Sequence, residues 1–363
     1  MAGLSCGIVG LPNVGKSSLY NALTKNLADS SNYPFCTIDP NVGVVEVSDP
    51  RLEKLSKLSK SKKILYATME FVDIAGLVKG ASQGEGLGNK FLSNIRETDA
   101  IIHVVRCFDS DDITHVAGRV DPVADVEVIN LELILADLQS VESIIVKMGK
   151  KAKADKELKD VLQTLEKVKQ HLNDEKPVIS LDLSDEEKEQ LKPYPLLTQK
   201  KVLYVANVDE KSAKSENEYV KRLREHVDKE GSKVLCICAQ FEEQIASFDE
   251  EEEKEFLASL GLEEPGLQRL IRESFSLLGL MTFITSGELE TRAWTIRKGQ
   301  KAPEAAGKIH SDIQKGFIRA EVVSFDDMMA FSGRIGAREN GKARSEGKEY
   351  IVQDGDVILF FHN

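Results

Sequence analysis

Residues 10–17 read Gly10-Leu11-Pro12-Asn13-Val14-Gly15-Lys16-Ser17, a complete G-x-x-x-x-G-K-S pattern. The apolar run Leu4–Val9 before it reads as a strand. Ser17–Leu27 after it reads as a helix, with Leu19, Leu23 and Leu27 on one face. A strand, a glycine-bracketed loop and a helix in that order make a phosphate-binding loop rather than a chance turn. Loop amides and the helix N-terminus turn partial positive charge toward a polyphosphate. Lys16 adds a full charge at the outer phosphates, and the Ser17 hydroxyl can hold Mg²⁺.

The 363-residue chain is long for one core, so two or three domains are expected. With 41% hydrophobic and 30% charged residues it reads as a soluble globular protein. Its longest apolar runs, Ile101–Val105 and Val357–Phe361, are too short to span a bilayer. No basic stretch leads into an apolar segment at the N-terminus, so no signal peptide is expected. Cytoplasmic residence follows. Five cysteines (6, 36, 107, 236 and 238) follow no zinc or disulfide spacing. Cys236 and Cys238 read as a buried pair on the strand Val234–Ala239, with a metal site as the alternative.

A net charge of −12 argues against a protein that coats nucleic acid. Two basic spots interrupt it. Lys147–Lys159 holds six lysines against Asp155 and Glu157, a balance of +4. Arg334–Lys348 holds Arg334, Arg338, Lys342, Arg344 and Lys348 against Glu339 and Glu346, a balance of +3. Basic spots on an acidic body suggest local docking to a polyanion. Neither a membrane nor a sequence-specific DNA site is expected.

The organisation is α/β at first. Leu4–Val9, Thr68–Asp73 and Ala100–Cys107 are continuous apolar runs, as parallel strands covered on both faces should be. They predict a mixed, mostly parallel sheet with helices on both faces. After Asn130 the period changes. Leu131, Ile134, Leu138, Val141, Ile145 and Met148 keep heptad spacing, and Leu158, Val161, Leu165, Val168 and Leu172 repeat it. The pattern predicts an inserted helical hairpin with lysines at its tip, either a plain structural element or a docking arm. Strands Val202–Val208 and Lys233–Ala239 resume the first domain, with a helix near 216–229 between them. Pro265 opens a helix to about Leu280. Beyond it, short strands at 289–296, 316–323, 350–352 and 356–361 predict a small α+β module of mixed pairing. The expected division is 1–130 and 201–279 for the nucleotide domain, 131–200 for the insertion and 280–363 for the last module.

The chemistry is spaced along the nucleotide domain. Asp73-Ile74-Ala75-Gly76 ends a strand, which suits a carboxylate toward Mg²⁺ and a glycine amide at the γ-phosphate. Gly76, Gly80, Gly84, Gly86 and Gly88 follow closely, enough glycine for a loop that rearranges with the phosphate. Thr37, between the phosphate loop and the Asp73 strand, can add a second hydroxyl to Mg²⁺. A guanine site wants Asn-Lys-x-Asp after the fifth strand, and the chain has Asn207-Val208-Asp209-Glu210. Glu210 is badly placed to pair the guanine N1 and N2 donors, so adenine is the better base.

These segments, with Asn32–Asn41 and Asp73–Gly88, resemble the YchF family, the Obg-like ATPases among translation-factor P-loop proteins. The resemblance covers essentially the whole chain. It implies an OBG-type G domain, a coiled-coil insertion and a C-terminal TGS domain of β-grasp type. It implies ATP hydrolysis with Mg²⁺ and ribosome binding. It places nucleotide on Asn13, Val14, Gly15, Lys16, Ser17 and Ser18, and Mg²⁺ on Ser17 and Thr37. Ser18 stands where many relatives carry Thr. In related P-loop proteins the Asn13 position can coordinate K⁺.

The group that activates water is less plain. Leu77 occupies the position where Ras-like enzymes use glutamine. His115, in the loop after Ala100–Cys107, can position or deprotonate water, or be an ordinary surface histidine. Three functions therefore stand: a ribosome-associated ATPase, a non-enzymatic adapter ordered by nucleotide, and a GTPase of relaxed base specificity.

Overall fold

In the computed structural model, which describes residues 4–25, 41–74, 86–110, 118–149 and 156–363, the chain builds two six-stranded sheets. The first part runs β1 (Ser5–Val9), α1 (Lys16–Lys25), β2 (Val42–Val47), α2 (Pro50–Ser59), β3 (Ile64–Leu65), β4 (Ala67–Asp73), α3 (Gly86–Glu97), β5 (Ala100–Arg106) and α4 (Pro122–Gly149). Next come α5 (Lys156–Asn173), α6 (Asp185–Leu191), β6 (Lys201–Asn207), α7 (Glu218–Val227), β7 (Lys233–Ile237), α8 (Ala239–Ile245), α9 (Glu250–Leu260) and α10 (Gly266–Leu277). The last part is β8 (Leu280–Ser286), β9 (Thr291–Arg297), α11 (Ala302–Ile309), α12 (Ser311–Lys315), β10 (Phe317–Val323), α13 (Phe325–Ala330), α14 (Arg334–Glu339), β11 (Arg344–Glu346) and β12 (Val357–His362).

The first sheet has the order β2-β4-β1-β5-β6-β7. β2 is antiparallel to β4 and the other pairs are parallel. β1 and β5 are buried at every residue, which explains why they carry no alternation. Leu19 and Leu23 of α1 join Leu270 and Ile271 of α10 in one cluster. Phe91 and Ile95 of α3 with Ile129 and Leu133 of α4 join another, as do Val220 and Leu223 of α7 in a third.

Several boundaries depart from the sequence reading. The expected edge at 131 falls inside α4, a single helix that starts at Pro122. Val126 and Ile129 extend the apolar spacing upstream, and with Leu133 and Ala136 they pack against the first sheet. Ile134 and Val141 turn instead toward Leu165, Val168 and Leu172 of α5. That seam is closed by Val178, Leu183, Leu191 and Leu196, so it is more than two helices. Asp137, fully buried, accepts from the Leu197 and Thr198 amides, both at 2.8 Å, and from Thr198 Oγ1 at 2.7 Å. The insertion is thereby tied to the residues that lead into β6. Cys238 lies past the end of β7 and caps α8, because the run after it has helical spacing at Phe241 and Ile245. No group of three or more His, Cys, Asp or Glu that could hold a metal occurs among the described residues.

The C-terminal sheet has the order β11-β10-β12-β8-β9-β3. The strand expected at 289–296 is in fact β9, the second arm of a hairpin, and β8 precedes it directly after α10. Residues 350–352 form only a bridge, Ile351 to Lys301. The edge strand β3 comes from the first domain and runs parallel to β9, Ile64 opposite Thr291 and Leu65 opposite Arg292. Leu52 and Leu55 of α2 share a cluster with Ile284, Ala293 and Val357. Arg51 joins Asp354 at 2.8 Å across the same seam. Hence the last module is not separated from the first by a linker.

The two basic spots also change. Arg334 and Arg338 both bond Glu321, and Arg344 lies against Asp356 and Tyr350. The cluster at Arg334–Lys348 is largely spent inside the module. Most of the hairpin tip, residues 150–155, lies outside the described residues. No helix of the described residues is long and apolar enough to cross a membrane.

Candidate nucleotide site

β1 delivers the chain to Gly10, where a Cβ would stand 2.8 Å from the Val104 carbonyl oxygen of β5. Only glycine passes there. Asn13 is left-handed at φ 63° and Gly15 at φ 90°. A Cβ on Gly15 would stand 2.1 Å from Asn207 Nδ2. The Val14 side chain is 1% exposed and packs in the core, so this residue offers the site its backbone. The Leu19 amide bonds the Gly15 carbonyl at 3.0 Å, which starts α1 with Lys16, Ser17 and Ser18 in its first turn. These amides are the donors a polyphosphate needs.

The loop forms one wall of a cleft of about 1080 Å³. Asp73, at the end of β4, lies opposite and forms an ion pair with Lys16. Ser17 and Asp73 both line the cleft. A hydroxyl and a carboxylate fit Mg²⁺, which takes one or two protein oxygens and completes its shell with phosphates and water. Thr37, Gly76, Leu77 and His115 lie outside the described residues.

The far wall carries Phe108, Asp109, Asn207, Val208, Asp209, Ala239, Gln240 and Glu243. Asn207 Nδ2 donates to the Val14 carbonyl at 2.9 Å, and its Oδ1 accepts from the Ala239 amide at 3.1 Å. One buried side chain therefore braces the phosphate loop against the start of α8. Val208 is 3% exposed and packs in the core beside β7. Glu210 is exposed and off the lining. Phe108 is held by Arg106, whose guanidinium sits 4.7 Å from the ring centroid and donates to the Phe108 carbonyl at 3.1 Å. Glu242 caps α10, accepting from Gly266 and Leu267 at 2.8 and 3.2 Å, and so fixes α8 from behind.

Phe108, Ala239, Gln240 and Glu243 escaped the sequence reading. Ala239 was expected at a strand end. The signal against that was Ala-Gln-Phe-Glu-Glu-Gln-Ile, a helix-forming run directly after the apolar strand.

Beneath the loop, His103 of β5 pairs across to Val9, and its ring lies tilted against Tyr204 with centroids 5.3 Å apart. It is buried, and its Nδ1 has no hydrogen-bond partner among the described residues. Burial pushes its pKa down from 6.5 to about 3. The folded chain keeps it neutral, whereas the unfolded chain protonates it below pH 6.5. Its contribution is therefore whole above 6.5 and is lost as pH falls toward 3. Urea unfolding should show wild type losing about 2 kcal/mol between pH 6.5 and pH 5 beyond any loss in a His103→Leu variant. Parallel pH profiles for the two proteins would remove His103 as a source of acid sensitivity.

Comparison with known proteins agrees with this geometry. A family model described as a 50S ribosome-binding GTPase matches residues 5–208. Another, the YchF GTPase C-terminal family, described as a protein of unknown function (DUF933), matches residues 280–363. The ribosome-binding ATPase YchF of Bacillus subtilis (strain 168) is 56% identical over 363 residues, covering 99% of each chain. The protein of the same name from Escherichia coli O157:H7 is 55% identical over 362 residues, again covering 99% of each. The structure of the Schizosaccharomyces pombe YchF GTPase superposes with a TM-score of 0.90 at 38% identity, covering 99% of this chain and 98% of that one. With motifs, cleft and whole-length similarity in accord, this chain belongs to the YchF family of P-loop proteins.

Proposed function

We propose that this protein is a cytoplasmic, ribosome-associated ATPase whose nucleotide state governs its hold on the ribosome. The observation that carries the base assignment is the far wall of the cleft. Val208 stands beside Asn207 where a guanine site needs lysine, and Glu210 is exposed and off the lining. The name of the bacterial relatives, ribosome-binding ATPase, supports the same reading.

In this reading the amides of Asn13–Ser18 and the Lys16 ammonium hold the phosphates. Ser17, Thr37 and Asp73 hold Mg²⁺, which supplies charge neutralisation at the β- and γ-oxygens when bound. The Gly76 amide meets the γ-phosphate, Asn207 and Val208 border the base, and His115 orients or deprotonates water. Asn13 offers a carbonyl to K⁺. The first sheet with the helices that cover it acts as the OBG-type G domain, the distal part of α4 with α5 and the segment leading to β6 as the coiled-coil arm, and residues 280–363 as the TGS domain.

Displacement of a fluorescent ATP analogue should show ATP binding at least ~10-fold tighter than GTP, since losing a set of paired donors can cost ~10⁴ in selectivity. Val208→Lys with Glu210→Asp should move the preference toward GTP. A clear GTP preference in the wild type would end the ATPase assignment. Turnover unchanged by ribosomes, with binding still set by ATP, would favour the adapter. Running turnover in KCl against NaCl checks the Asn13 site.

A further inference from the structure

Residues 51–63 carry Arg51, Lys54, Lys57, Lys60, Lys62 and Lys63 against Glu53 alone, a balance of +5 on a chain of net −12. That exceeds either cluster noted from the sequence. α2 buries Leu52, Leu55 and Ser56, which leaves Lys54 and Lys57 exposed one turn apart. Lys60 ends the helix in the left-handed conformation at φ 53°, and it too is exposed. Lys54, Lys57 and Lys60 follow each other at about 4.5 Å of helical rise. Lys62, in the link between α2 and β3, is exposed as well.

The segment that follows Lys60 is bonded to the C-terminal module. Ser61 Oγ donates to the Gly287 carbonyl at 2.7 Å, the Lys62 amide to the Glu288 carbonyl at 3.1 Å, and the Thr291 amide to the Lys63 carbonyl at 2.9 Å. The nearby acids are engaged elsewhere. Asp49 bonds Arg51, and Glu53 accepts from the Tyr66 hydroxyl at 3.4 Å. Among the described residues no ion pair includes Lys54, Lys57, Lys60 or Lys62, whereas Arg334, Arg338 and Arg344 are all paired.

The surface lies away from the cleft. β2 starts with Val42 beside Val72 and ends with Val47 beside Ala67, so α2 begins at the end of the sheet opposite Asp73. No aromatic residue occurs in 51–63, so the row suits phosphates rather than stacked bases.

We propose that Lys54, Lys57, Lys60 and Lys62 are the RNA-phosphate contact through which this protein seats on the ribosome. The proposal rests on the ribosome reading above and names the surface. Its test uses the full chain with all four lysines changed to glutamine, beside a second variant with all four changed to arginine. Cosedimentation with purified ribosomes across a KCl series should show at least ~10-fold weaker binding of the glutamine variant at about 100 mM KCl. The slope of log K against log[KCl] should be shallower by about 3, as expected for losing four phosphate contacts. A short duplex RNA should report the same loss. The arginine variant should bind like wild type, and ATP turnover without ribosomes should be unchanged in both.

Wild-type affinity and slope in the glutamine variant would overturn the proposal and leave the ribosome reading intact. Duplex RNA held through these lysines by a protein that ignores ribosomes would keep the RNA surface and end its ribosomal assignment. Wild type binding neither would remove both. A loss seen only with vesicles of anionic lipid would assign the lysines to a membrane and overturn the RNA contact.

Discussion

Lys16→Ala will lower ATP turnover by at least ~10²–10³-fold, the scale set by removing one preorganised donor from a site that stabilises developing charge. Lys16 is the charged residue of the phosphate loop, and its side chain is only 10% exposed, so water screens it poorly. Its ammonium reaches the Asp73 carboxylate across the cleft, so it spans the space where the outer phosphates belong. Without it, no lysine or arginine remains on the described lining between Asp73 and the phosphates. Single-turnover hydrolysis at saturating ATP and Mg²⁺ separates this from weak binding. Turnover within a few fold of wild type would remove Lys16 from the chemistry. In the same assay, His115→Ala should slow hydrolysis with ATP affinity retained. An unchanged rate there would withdraw the water-activating role.

Gly15→Ala will cost about 2–4 kcal/mol of stability and most of the nucleotide affinity. Two independent effects add. An L residue at φ 90° is strained by about 1–3 kcal/mol. The new methyl would also stand 2.1 Å from Asn207 Nδ2, displacing the side chain that bonds both Val14 and Ala239. Asn207→Ala removes those bonds directly and leaves a buried carbonyl and amide unpaired, a cost of about 1–3 kcal/mol each. The double variant should therefore be less destabilised than the two singles predict together, because the clash and the lost brace concern one side chain. Urea titrations of the four proteins measure this coupling. Strict additivity would mean the phosphate loop and Asn207 do not act as a unit.

Much of this site was legible because its signals are local. The phosphate loop is eight consecutive residues, and Asp73 ends an apolar strand. The fully buried strands β1 and β5 could be read from their unbroken apolar runs. What escaped depends on tertiary partners. The start of α4 at Pro122, ahead of the change of period at Asn130, depends on the sheet that Val126 and Ile129 cover. β3 is two residues long and is a strand only because β9 lies beside it. Phe108 carries no motif of its own; Arg106 beneath it and the neighbouring end of β6 bring it to the cleft. The Arg334–Lys348 cluster misled because charge counted along the chain does not reveal Glu321 folded against it.

The shared strand has a consequence for moving these parts between proteins. The last module closes one edge of its sheet with Ile64 and Leu65, and its core with Leu52 and Leu55, all borrowed from the first domain. A chimera that grafts residues 280–363 onto another P-loop protein would inherit an open strand edge and an uncovered apolar face, both of which invite association. The transplantable unit therefore includes residues 51–65, so any exchange of this module carries part of the host domain with it.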